Sequence, residues 1–250
     1  MSEALVTTIG LSKVYSDHAG GQIRAVDSLD LSCHAGEIFG LLGLNGAGKT
    51  TTMRMLSTAL TPTAGRAEVC GHDIQTAARE VRASIGFLSG TTGLYHRLTA
   101  REMIETFGRL HGMEAQHLKS RVEEVLDLFE IDKYAGMRCE KLSTGMKQKV
   151  NIARAIVHDP PVLILDEPTS GLDVLAAATT LEFVQKLREL GKCVLYSTHI
   201  MSEVERLCDR IAIIHGGRLR GLGTLDELRV STNRHYLEDI FRDLVREDAA

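Results

Sequence analysis

Apolar residues change their period along this chain, and the changes divide it. In residues 5–15, 23–31 and 37–42 they fall in short alternations, with turn-forming residues 16–22 between the first two. This pattern predicts antiparallel sheet. Ile38-Phe39-Gly40-Leu41-Leu42 is a continuous apolar run of the kind found in a buried strand, and residues 51–58 open a helix after it. Residues 66–69 and 85–88 predict two more strands, with helix around Val81 between them. The period then lengthens. Thr99 with Glu102 three residues on forms a capping-box pattern for a helix to Leu110, and Leu118, Val122, Val125, Leu126 and Phe129 share one face of the next. Residues 162–165, 193–196 and 210–214 read as strands separated by helical patterns at 174–190 and 201–207. Strands alternating with helices predict a parallel α/β sheet. The expected organisation is therefore a strand-rich region and first part of an α/β core over 1–89, a helical unit over 90–141 followed by a helix over 142–158, the remainder of the core over 159–224, and a short helical tail over 225–250. No internal repeat is visible.

Composition narrows the classes. At 250 residues the chain can bury a sizeable core. Its net charge of −4, with no basic block and no Trp, argues against a nucleic-acid partner held by phosphate neutralisation and base stacking. Cys33, Cys70, Cys139, Cys193 and Cys208 are scattered and never paired as C-x-x-C, which predicts neither a disulfide framework nor a zinc cluster and points to the reducing cytosol. No segment approaches the ~18 apolar residues of a membrane span, and Met1-Ser2-Glu3-Ala4 lacks the pattern of a signal peptide. Any membrane role is expected to pass through a partner.

The chemistry concentrates in Gly43-Leu44-Asn45-Gly46-Ala47-Gly48-Lys49-Thr50-Thr51, placed between a predicted strand and a predicted helix. Glycines let successive N–H groups curl around phosphate oxygens, the helix N-terminus adds partial positive charge, and Lys49 brings an ammonium to the β- and γ-phosphates. Thr50 offers a hydroxyl to Mg²⁺. Downstream, the apolar strand Val162-Leu163-Ile164-Leu165 ends in Asp166-Glu167, two carboxylates at the sheet edge where α/β proteins hold ligands. Asp166 is the expected Mg²⁺ partner, directly or through water, and Glu167 the group that polarises the attacking water. Ser143 is a natural N-cap for the helix that follows Leu142, where N–H groups can grip an anion.

Leu142-Ser143-Thr144-Gly145-Met146-Lys147-Gln148 resembles the signature motif of the ATP-binding cassette (ABC) family, and the other landmarks stand in order. They are Tyr15 at the place of an adenine-stacking aromatic, Walker A at Gly43 to Thr51, Walker B ending at Asp166 and Glu167, a D-loop at Ser170-Gly171-Leu172-Asp173, and a switch histidine, His199. The resemblance implies a P-loop NTPase of ABC type with an antiparallel N-terminal β-subdomain and a helical subdomain inserted in the core. ATP and Mg²⁺ are the implied cofactors, with His199 as γ-phosphate sensor. Two copies would face head to tail around two ATP molecules, so that Ser143 and Gly145 meet nucleotide held by the partner copy, and Asp173 of the D-loop counts among the implied nucleotide-binding residues. An integral membrane permease is the implied second partner, on whose cytoplasmic face the chain would sit.

Two motifs depart from the family pattern. Where a Q-loop glutamine usually follows the strand at 85–88, this chain has Ser89 and Gly90, so a metal and water contact is either lost or passed to water, Ser89, Thr91 or Thr92. The signature carries Thr144 and Met146 where Gly and Gln are commonest, while Ser143 and Gly145 are kept. This form, with residues 93–102, resembles the exporter branch typified by NatA-type sodium-export and ABC-2 systems. The alternatives are a soluble ABC ATPase acting on ribosomes or DNA, and an ATP-switched regulatory module with little turnover.

Overall fold

A computed structural model describes residues 4–16, 21–90 and 93–246. Met1, Ser2 and Glu3, residues 17–20 of the expected first loop, and Thr91 and Thr92 of the Q-loop alternatives lie outside the described residues. The first layer is a four-stranded antiparallel sheet, ordered β2 (Gln22–His34), β1 (Ala4–Ser16), β4 (Ala64–Val69) and β5 (His72–Asp73). The second is a six-stranded sheet. Its order is β10 (Arg218–Gly223), β9 (Arg210–His215), β3 (Ile38–Leu42), β8 (Cys193–Thr198), β7 (Val162–Asp166) and β6 (Ile85–Ser89), parallel except for β10. Every residue of β3, β7 and β8 is buried, which explains their unbroken apolar runs: a parallel strand covered on both faces has no polar side to alternate with.

Helix α1 (Lys49–Leu56) packs its Met53, Met55 and Leu56 into a core shared with Val6, Leu11, Leu29 and Phe39, between the two sheets. After α2 (Ala78–Ser84) and β6, the chain forms α3 (Ala100–Leu110), α4 (Ala115–Leu128) and two short 3₁₀ turns. The Thr99–Glu102 capping box is formed in both directions. Leu118, Val122, Val125, Leu126 and Phe129 are buried together with Met103 and Ile104, so the face read from spacing is the packed face. Helix α5 (Thr144–Ile156) and α6 (Val174–Glu189) complete this second core. A third cluster joins α7 (Met201–Leu207), α8 (Leu225–Thr232) and α9 (Leu237–Arg246) to β9 through Val204, Ile211, Ile213, Leu228, Leu237 and Ile240. Strands β5 and β10 were not expected from the sequence, and α1 begins two residues earlier than the apolar pattern indicates.

Candidate nucleotide site

Strand β3 ends at Leu42 and the chain turns through Gly43 to Gly48 into α1. A Cβ at Gly43 would stand 2.6 Å from the Ile214 carbonyl oxygen, and one at Gly48 would stand 2.4 Å from that of Ala25. Both glycines are thus required by close backbone approach, and Gly48 also lies at φ 109°. No side chain caps α1. Its first N–H groups face a groove of 350 Å³ lined by Ala25, Asn45, Gly46, Ala47, Gly48, Lys49, Thr50, Thr51 and Glu167. Gly217 fastens the loop from outside: its N–H donates to Ala47 O at 3.0 Å, and its carbonyl accepts from Asp27 N at 2.8 Å.

Charge in the groove is arranged around Lys49. Its side chain is only 4% exposed, and a buried ammonium requires partners. Nζ donates to Gly43 O at 2.7 Å and Leu44 O at 3.2 Å, and pairs with Glu167 Oε1 at 3.2 Å. The same Oε1 lies 3.3 Å from His199 Nδ1. Asp166 is buried and opposite Ser197 in the β7–β8 register; Ser197 Oγ donates to its Oδ1 at 2.6 Å, and Thr50 Oγ1 to the same oxygen at 3.2 Å. One buried carboxylate beside one hydroxyl, next to a phosphate-type loop, is a donor set that suits Mg²⁺, which takes few protein ligands and fills its octahedron with phosphate oxygens and water. Among the described residues no group of three or more His, Cys, Asp or Glu forms an all-protein metal cage.

Glu167 sits at φ 49°, an uncommon conformation for a residue with a side chain. Its N–H is held by both the Ser197 carbonyl and Ser197 Oγ at 3.1 Å. Ser197 therefore fixes Asp166 through its side chain and Glu167 through its backbone.

The remaining sequence-read residues lie elsewhere. Ser143 caps α5, accepting from Met146 N at 3.3 Å, and Asp173 caps α6, accepting from Ala176 N at 2.9 Å. A Cβ at Gly145 would meet Ala176 Cβ at 3.1 Å, and Gln148 donates to the Pro168 carbonyl, so the starts of the two helices are packed together. None of Ser143, Gly145 and Asp173 lines the groove of its own chain. Neither does Tyr15, which is partly exposed on β1 with Lys13 Nζ 5.4 Å from its ring centre. Leu44 is half exposed at the loop's tip. Gly90 follows Ser89, which is paired in register with Asp166; a Cβ on Gly90 would stand 3.6 Å from the Asp166 carbonyl oxygen. Ala25, Ser197 and Gly217 escaped the sequence reading, because each reaches the site from a distant strand or turn.

The loop, the acid pair at the sheet edge and the order of elements are those of a P-loop ATPase, and the chain belongs to the ABC transporter family, whose sequence profile matches residues 26–170. It is 42% identical over 220 residues to the ABC transporter ATP-binding protein NatA of Bacillus subtilis, covering 88% of this chain and 89% of that one. The daunorubicin resistance ATP-binding protein DrrA3 of Streptomyces coeruleorubidus is 38% identical over 250 residues, 100% of this chain and 78% of the relative. Among solved structures, an ATP-binding subunit of an ABC transporter superposes with a TM-score of 0.85 at 30% identity, covering 96% of this chain and 99% of the other. The dimeric bacterial ABC transporter cassette MJ0796 gives 0.79 at 26% identity, covering 88% and 98%. The fold is accordingly the P-loop ABC ATPase fold, with its N-terminal β-subdomain and inserted helical subdomain. Among the described residues no helix is long and apolar enough to cross a membrane.

Proposed function

We propose that this chain is the ATP-hydrolysing subunit of an exporter, working at the cytoplasmic face of a membrane through a separate permease. The observation that carries the reading is the convergence of Lys49, Asp166, Glu167 and His199 on one edge of the parallel sheet, beside a glycine loop. Lys49, the loop N–H groups and the α1 N-terminus bind and orient the phosphates. Asp166 and Thr50 would hold Mg²⁺, which supplies charge neutralisation at the β- and γ-oxygens when bound. Glu167 accepts a proton from the attacking water, and His199, in contact with Glu167, senses the γ-phosphate.

A second copy completes the site in this reading. Ser143, Gly145 and Asp173 stand together at the starts of α5 and α6, outside the groove of their own chain. Beside them Val174 and Leu175 are 85% and 80% exposed, an adjacent apolar pair that a partner surface would cover. ATP that binds well only between two closed copies biases an open–closed equilibrium, and hydrolysis releases it.

Relatives carry names as different as daunorubicin resistance, Nod factor export and bacitracin transport. The compounds named differ from one relative to the next, and sodium is the cargo suggested only by the resemblance of the sequence to the NatA type. The test is to isolate the chain with its membrane partner, reconstitute the complex in vesicles and measure ATP-dependent movement of sodium and of hydrophobic drugs. Absence of phosphate release even with the membrane partner would favour the regulatory alternative, to which Gly90 in place of glutamine lends its support.

A further inference from the structure

Glu203 is a carboxylate buried on the first turn of α7, only 6% exposed, among the apolar neighbours Val204 and Leu207. Burying a carboxylate is costly unless donors surround it, so this position calls for an account beyond packing. Two donors are present. Thr198 Oγ1 donates to Glu203 Oε2 at 2.7 Å, and Tyr196 Oη donates to the same oxygen at 2.9 Å. Thr198 in turn accepts from Ile200 N at 3.0 Å, so the residues on both sides of His199 are tied to one carboxylate. Tyr196, fully buried on β8, immediately precedes Ser197, whose carbonyl oxygen and Oγ both accept from Glu167 N. Burial beside Glu203 raises the Tyr196 phenol well above its ordinary range, which keeps it a neutral donor.

We propose that Glu203 is a positioning residue for hydrolysis: through Thr198 it fixes the turn that carries His199, and through Tyr196 it holds the strand end whose Ser197 binds the Glu167 backbone. The chain of bonds Tyr196, Glu203, Thr198, Ile200 runs behind the Glu167–His199 contact and, with Ser197 on the Glu167 N–H, holds its two loops in one frame. Glu203 touches neither the groove nor the reacting atoms, and acts only through what it holds. A 1 Å displacement of such a group is enough to slow chemistry without weakening substrate binding.

The inference rests on the ATPase reading above, and the test separates the two. Both donors meet the same carboxylate oxygen, and a Gln carbonyl could accept from both, so the informative variant is Glu203→Leu, which stays close in size and removes both acceptors. The variant should bind a fluorescent ATP analogue within about twofold of wild type while single-turnover phosphate release falls at least tenfold. The ring resonance of His199, assigned by its loss in His199→Ala, should shift or split in Glu203→Leu. Thr198→Val should reproduce the defect and Thr198→Ser should not, which preserves the test if Glu203→Leu fails to fold. Turnover at the wild-type rate in Glu203→Leu or Thr198→Val would overturn the proposal. So would slowed turnover with an unmoved His199 resonance, or equal losses in Thr198→Val and Thr198→Ser. A wild-type chain that hydrolyses no ATP, alone or with its membrane partner, would instead remove the ATPase reading itself.

Discussion

Replacing Glu167 by Gln is the perturbation whose consequences the structure defines most fully. Gln keeps the unbranched stem, so the φ 49° backbone and the N–H bonds to Ser197 carry over at little cost in stability. Lys49 loses a charged partner at 3.2 Å but keeps the Gly43 and Leu44 carbonyls, and so remains placed to meet phosphate. The amide cannot take a proton from water. A positioned general base contributes about 10²–10⁴ in rate, equivalent to about 3–5 kcal/mol of barrier. Glu167→Gln should therefore lose at least two orders of magnitude in single-turnover phosphate release, with ATP affinity preserved and the melting temperature within a few degrees of wild type. Turnover within about threefold of wild type would refute the assignment of Glu167 as base.

Other consequences are equally open to measurement. Gly90 lies outside the left-handed region and a Cβ there meets only ordinary contacts, so Gly90→Ala should leave stability and hydrolysis near wild type, whereas Gly90→Gln should raise the hydrolysis rate; losses in both variants would contradict this. Gly48→Ala adds a left-handed penalty of about 1–2 kcal/mol to a 2.4 Å approach to Ala25 O, and should abolish ATP binding in a fluorescence titration. His158 stacks on His111 at 3.5 Å, its Nε2 lies 3.0 Å from the Ile85 carbonyl, and its Nδ1 is buried without a partner. Burial, with His111 beside it, lowers its pKa to about 4. Because the folded value lies below the ordinary ~6.5, its contribution is complete above that pH and is lost as pH falls toward 4, up to about 3 kcal/mol. Urea unfolding of His158→Phe should show a shallower decline over that window than wild type; parallel profiles would contradict it.

The legible parts of the molecule are those whose physics is local. A glycine loop between strand and helix, a capping box at Thr99, and a buried helical face from Leu118 to Phe129 all announce themselves by spacing. Strand β10 does not: Arg218-Leu219-Arg220-Gly221-Leu222-Gly223 has two glycines and no buried alternation, and is strand because it pairs with β9. The second layer of the site was hidden for a related reason. Ser197 and Glu203 look like ordinary polar residues until the fold buries them against Asp166 and Tyr196, and nothing in the chain marks which carboxylate goes inside. Tyr15 shows the converse. Its place in the motif order suggests a nucleotide contact, and it stands on β1 paired with Ile23 of β2, near the Ala25 that lines the groove, without itself lining it.

The central claim is that two copies of this chain close on ATP, each supplying Ser143 and Gly145 to the other's phosphate groove. It is tested most directly by the mass in solution of the Glu167→Gln chain, measured by light scattering after size exclusion, with and without ATP and Mg²⁺. A dimer is expected only with nucleotide, and a monomer under all conditions once Ser143→Arg is added. A Glu167→Gln chain that binds ATP and stays monomeric, or a dimer that Ser143→Arg leaves intact, would contradict it.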